Sequence, residues 1–144
     1  MAKLRRWRVL DDLATLYLAE GRYREAGRTL DRSMAIVTWA KDAVAMDRIK
    51  LFNARAELHV RRGEWREAEA DLNAAISAVG SDARLDPGVL KSLLVAYAHV
   101  LRKNHRRKEA RTIEARAAAL QAGDLTTGVV DFSELLARSR GDKK

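Results

Sequence analysis

Apolar residues recur along this chain three or four positions apart, which is the spacing of one buried helical face. Leu10, Leu13, Ala14 and Tyr17 form one stripe, Phe52, Ala56 and Val60 a second, and Leu94, Tyr97, Ala98 and Leu101 a third. With the turn and cap residues between them, these stripes predict six helices, over about 2–20, 23–37, 43–62, 65–79, 87–103 and 106–122. Leu30, Met34 and Val37 line one face of the second, and Ile49 joins Phe52, Ala56 and Val60 on the third. Asp42 is the expected N-cap of the third helix, and Asp86-Pro87 supplies a cap and a first-turn proline for the fifth. Ser81 to Gly88 is the clearest linker, and glycines at 80 and 123 close the fourth and sixth helices.

The helices come in pairs because the chain repeats. Gly21-Arg22-Tyr23-Arg24-Glu25-Ala26 returns as Gly63-Glu64-Trp65-Arg66-Glu67-Ala68 and, more weakly, as His105-Arg106-Arg107-Lys108-Glu109-Ala110, a spacing of 42 residues each time. A fixed period in that range marks a stacked repeat. Gly21 and Gly63 stand where a helix must stop on a left-handed residue, which glycine adopts at little steric cost. Ala26, Ala68 and Ala110 keep side chains small where two helices cross. Ala14, Ala56 and Ala98 do so on the first helices, and Ser33, Ala75 and Ala117 on the second ones. The third copy departs at the turn, with His105 for the glycine and Arg107 for the aromatic.

A small residue, then Gly-x-aromatic-x-x-Ala, then another small residue, resembles the tetratricopeptide repeat pattern. The long period, with Leu10-Asp11-Asp12-Leu13-Ala14 and Phe52-Asn53-Ala54-Arg55-Ala56 on the first helices, is similar to the repeats of kinesin light chains. The resemblance covers roughly residues 8 to 120. It implies an all-α, right-handed solenoid of three helix-turn-helix repeats over 1–123, followed by a C-terminal capping or docking segment over 124–138 and a disordered tail over 139–144. It also implies a concave groove lined by first-helix side chains. At the matching positions stand Arg8, Asp11 and Thr15, then Lys50, Asn53 and Glu57, then Ser92, Val95 and His99, of which only Asn53 matches the family asparagine. Kinesin-light-chain-like proteins of bacteria accompany bacterial tubulins, so the resemblance implies an acidic filament partner, with an acidic peptide bound by a generic scaffold or adaptor as the alternative.

Charge adds a second candidate surface. The net charge of +8 is carried at the two ends of the repeat region, +4 over residues 1–8 and +6 over 91–120. Arg22 and Arg24, then Arg61, Arg62 and Arg66, then Arg102, Lys103, Arg106, Arg107 and Lys108 crowd the three turns. In a translated stack these would form one basic edge that draws acidic partners. Lys3, Arg5, Arg6 and Trp7 offer a weaker possibility, contact with an anionic membrane surface, against a structural role for the tryptophan. Nucleic acid is disfavoured, because no aromatic is interleaved with the cations of 102–116.

Nothing in the pattern points to catalysis, a cofactor or a metal. His59, His99 and His105 fall in no ligand spacing, there is no cysteine, and no glycine-rich phosphate loop occurs. No apolar run approaches the length of a membrane span, and the expected location is the cytoplasm. Val129, Val130, Phe132, Leu135 and Leu136 are expected to cover the last repeat, with Phe132 as the main anchor.

Overall fold

The computed structural model describes residues 6–80 and 85–121, and the described residues are helical with no strand. Six helices run in order: α1 (Arg6–Ala19), α2 (Tyr23–Trp39), α3 (Ala45–Arg62), α4 (Trp65–Val79), α5 (Pro87–Lys103) and α6 (Arg107–Gln121). The chain forms two compact units that part at the expected linker, Met1–Val79 and Gly80–Lys144. The expected C-terminal cap and tail, over 124–144, lie outside the described residues.

In the first unit α1 packs on α2, α3 on α4, and α3 also meets both α1 and α2. In the second unit α5 packs on α6. The small residues sit at these crossings. Ala14, Ala26, Ala56, Ala68, Ala75, Ala98, Ala110, Ala117 and Ser33 are all buried, so helix axes approach where a larger side chain would hold them apart. Between them the first unit is filled by Trp7, Leu18, Leu30, Val37, Leu51 and Leu58. Ser33 uses its hydroxyl to tie α2 to α1, donating to Asp11 Oδ1 at 2.6 Å.

The three turns are closed by the same hydrogen bonds, 42 residues apart. Each first helix ends on a residue with positive φ: Gly21 at 73°, Gly63 at 74° and His105 at 63°. The next amide then reaches back five residues and closes a six-residue loop, Arg22 N to Tyr17 O at 2.8 Å, Glu64 N to His59 O at 2.8 Å and Arg106 N to Leu101 O at 2.9 Å. The left-handed residue itself donates to Leu18, Val60 and Arg102 carbonyls at 3.1, 3.0 and 3.1 Å. These are Schellman closures, which satisfy the last carbonyls of a helix. The second helix restarts at once, with Ala26, Ala68 and Ala110 amides bonding Arg22, Glu64 and Arg106 carbonyls, each at 3.0 Å. His105 therefore makes the turn that glycine makes in the other copies, and the histidine Cβ carries the steric cost.

One cap differs from expectation. Asp42 lies in the turn before α3, and the N-cap is Val44. Valine offers no side-chain acceptor, so Asp47, three residues inside the helix, turns back and accepts from Val44 N at 3.0 Å. An acid at that position also suits the helix dipole. The Asp86 cap holds, its Oδ1 accepting from Gly88 N at 2.8 Å.

Two substitutions test this packing. A left-handed non-glycine costs about 1–2 kcal/mol, offset by the chain entropy glycine loses, about 0.5–1 kcal/mol. His105→Gly should therefore raise the thermal midpoint modestly, and a lower midpoint would show that His105 does not adopt positive φ. Ala68→Leu should overpack α3 against α4 and cost about 1–3 kcal/mol in denaturant melts. A melt superimposable on wild type would contradict the crossing.

Candidate functional site

The expected groove residues of the first two repeats lie in one unit, and the structure brings several together. Arg8 on α1 reaches α3, its Nε 3.0 Å from Asp47 Oδ1. Asp11 and Lys50 are close enough to interact electrostatically. The patch is thus one of alternating charge: Arg8, Asp11, Asp47 and Lys50. Thr15 donates to the Asp11 carbonyl at 2.9 Å, and Glu57 accepts from Arg61 at 3.5 Å. Asn53 is exposed on α3. Asp47 itself went unseen in the sequence, although an acid three residues into a helix was a readable signal.

The two acids of this patch are perturbed in opposite directions. Burial raises the Asp11 pKa, and the Ser33 hydrogen bond only partly opposes it. Burial also pushes Asp47 upward, but the Arg8 guanidinium, the Val44 amide and the nearby Trp7 indole outweigh it. Together they hold its carboxyl below the ordinary 3.8. Trp7 Nε1 lies near that carboxylate without reaching hydrogen-bond geometry.

The groove residues of the third repeat belong to the second unit. Val95 and His99 line a cavity of about 360 Å³ with Lys91, Arg102, Glu114, Ala117 and Ala118. Repeat arithmetic explains it. Where the first repeat has Trp7, Leu18 and Leu30, and the second Ile49, Val60 and Leu72, the third has Lys91, Arg102 and Glu114. Apolar filling is replaced by an exposed ion pair, with Arg102 Nη2 at 2.7 Å from both Glu114 oxygens. Ser92 is exposed on α5.

The basic turn residues divide into two groups. Arg22 stacks on Tyr17 at 4.6 Å and pairs with Glu20 and Glu25. Arg61 pairs with Glu57, Arg102 with Glu114, and Arg106 with Glu109, whose carboxyl it holds below its usual range. Arg62 Nη2 donates to the Tyr23 carbonyl at 3.0 Å, which sets the second turn beside the start of α2. Arg61, Arg62, Arg102 and Lys103 also occupy last turns, where cations complement the helix dipole. These residues have structural work. Arg24, Arg66, Arg107 and Lys108 do not: they are exposed in the first turns of α2, α4 and α6, the end where a cation is disfavoured.

The membrane expectation is corrected at its centre. Trp7 is 3% exposed in the first core, so its indole cannot enter a bilayer surface without unfolding α1 from α2. Arg6 is exposed at the start of α1, while Lys3 and Arg5 lie outside the described residues. No helix of the described residues is long and apolar enough to cross a membrane.

Compared with family models, curated proteins and solved structures, the chain matches none. Its own internal repeat is therefore the ground for any functional reading. A part-buried cluster also emerged that no motif announced. Arg55 grips Asp71 with Nη2 at 2.6 Å and Nε at 2.9 Å, while His59 stands between Asp71 and Glu64, its Nδ1 2.6 Å from Glu64 Oε2. It braces α3 against α4 around a buried acid, and Asp71 in turn holds the Arg55 guanidinium pKa up.

The opposite shifts give a paired prediction. Asp47 contributes stability above its unfolded value near 3.8, and that contribution is lost as pH falls through the lower folded value. Asp47→Asn should thus destabilise at neutral pH by about 1–2 kcal/mol, since its Arg8 partner is half exposed. Asp11 has the reverse sign, because its charged form is the disfavoured one. Asp11→Asn, which keeps an acceptor for Ser33, should leave stability unchanged or raise it at neutral pH. Equal losses from both variants in urea melts would contradict the assignment.

Proposed function

We propose that the chain is a non-catalytic interaction module, a three-repeat tetratricopeptide solenoid of the kinesin-light-chain-like kind that binds an acidic protein surface such as a bacterial-tubulin filament. The observation that carries this reading is the recurrence of Arg24, Arg66 and Lys108 at one repeat position, exposed in the first turn of each second helix. A cation there works against the helix dipole by about 0.3–1 kcal/mol. Three such costs in phase make sense when the charge is used outside the molecule. An acidic partner would be steered to these residues and held by contacts that salt screens. The alternating patch around Asp11 and Asp47 is a poorer attractor, because its cations already face acids.

The test is co-sedimentation of the full chain with bacterial-tubulin filaments. Binding should weaken steeply between about 50 and about 300 mM salt, as the screening length falls below the span of the contacts. Arg24→Glu, Arg66→Glu and Lys108→Glu together should remove binding while leaving helicity intact, because acids are welcome in first turns. Undiminished pelleting of that triple variant would sink the proposal and redirect attention to Asn53 and the groove. Absence of wild-type pelleting at low salt would sink the filament as partner.

A further inference from the structure

Helix α1 exposes two large apolar side chains, Val9 at 69% and Leu16 at 53%. Their repeat equivalents are buried: Leu51 and Leu58 in α3, Leu93 and Val100 in α5. In α3 the covering element is α2, with Leu58 Cδ2 only 3.5 Å from where a Cβ on Gly27 would stand. At α1 no described element plays that part. The face is thus built to be covered by a helix, and the chain's own repeat says so.

We propose that its occupant is the same helix of a second copy, packed antiparallel across a two-fold axis near Asp12 and Leu13. Val9 and Leu16 are seven residues apart, about 10 Å along a helix, so this axis sets each Val9 against Leu16 of the second copy and brings the two Leu13 side chains together. Charge favours the antiparallel sense. Helix α1 begins at the exposed Arg6 and is followed by Glu20, whose 3.4 Å pairing with Arg22 leaves its carboxylate about half exposed, so the antiparallel sense sets Arg6 against Glu20, whereas a parallel pair would juxtapose like residues.

Head-to-tail stacking is the alternative, and α6 argues against it. For α6 to cover α1 as α2 covers α3, it would use the positions of Tyr23 and Gly27, which meet α3. Those hold Arg107 and Arg111, both exposed. Pressing these charges onto Val9 and Leu16 would cost their hydration without apolar gain. A self-complementary face closes at two copies, and a heterologous one would grow without end. The contact is small, one 14-residue helix per copy, below the ~800 Å² per partner of a standard interface. The dimer is therefore weak. The two Asp12 side chains, exposed on this face, come together near the axis and weaken it further.

Sedimentation equilibrium of the full chain from about 10 μM to about 1 mM covers the affinities of such small contacts. The expected result is a monomer–dimer equilibrium with no larger species. Leu16→Asp should weaken it at least about tenfold with unchanged circular dichroism, and Asp12→Asn should tighten it severalfold by removing the like-charge pair. Tightening by Asp12→Asn is an outcome that a merely structural role for α1 would not produce. A monomer at every concentration, species growing past the dimer, or a dimer indifferent to both substitutions would each overturn the proposal.

Discussion

Everything in this protein depends on ending a helix on a left-handed residue and restarting within two positions. The six-residue backbone bond made there fixes the angle at which the second helix leaves. It thereby decides which faces of the pair meet. The alanines at the crossings follow from that geometry, since a pair set so close leaves room only for small side chains. The three turns share the same donors, acceptors and distances, although one is built on histidine. Backbone hydrogen bonding is strong enough to impose the conformation on a residue that pays for it.

Charge is the second organising constraint, and pairing sorts it. Glutamates at 20, 25, 57, 109 and 114 absorb a large part of the basic edge seen in the sequence. What is left over is Arg107 and a periodic set, Arg24, Arg66 and Lys108. A net charge of +8 says only that the chain attracts acids, whereas the position of the unabsorbed cations says where. That is why the proposed partner contact rests on first-turn residues rather than on the turns themselves.

The helices were legible because period and glycine both depend on short-range geometry. The starts at Tyr23, Trp65 and Pro87 and the buried small residues could be read one position at a time. The rest needed contacts across helices. Asp42 looked like a cap because it precedes an apolar run, yet the acid that serves is Asp47, already inside the helix and tied to Arg8 from another pair. Trp7 reads in sequence as a core residue with a membrane contact as the weaker alternative, and the bonds of Ser33 to Asp11 and to the Trp7 carbonyl show how α1 is locked onto α2. The Arg55–Asp71–His59–Glu64 cluster spans two helices and has no spacing signature at all. The cavity beside His99 was visible in principle, since Lys91, Arg102 and Glu114 interrupt an apolar pattern set by the first two repeats.

The central claim is that the three turns are equivalent in spite of His105, and amide hydrogen exchange followed by nuclear magnetic resonance tests it directly. Arg22, Glu64 and Arg106 amides each donate the six-residue bond, and their hydrogens should exchange slowly together, with residues 21, 63 and 105 all showing left-handed carbon shifts. Fast exchange at Arg106 beside protected Arg22 and Glu64, with ordinary helical or extended shifts at His105, would contradict the account.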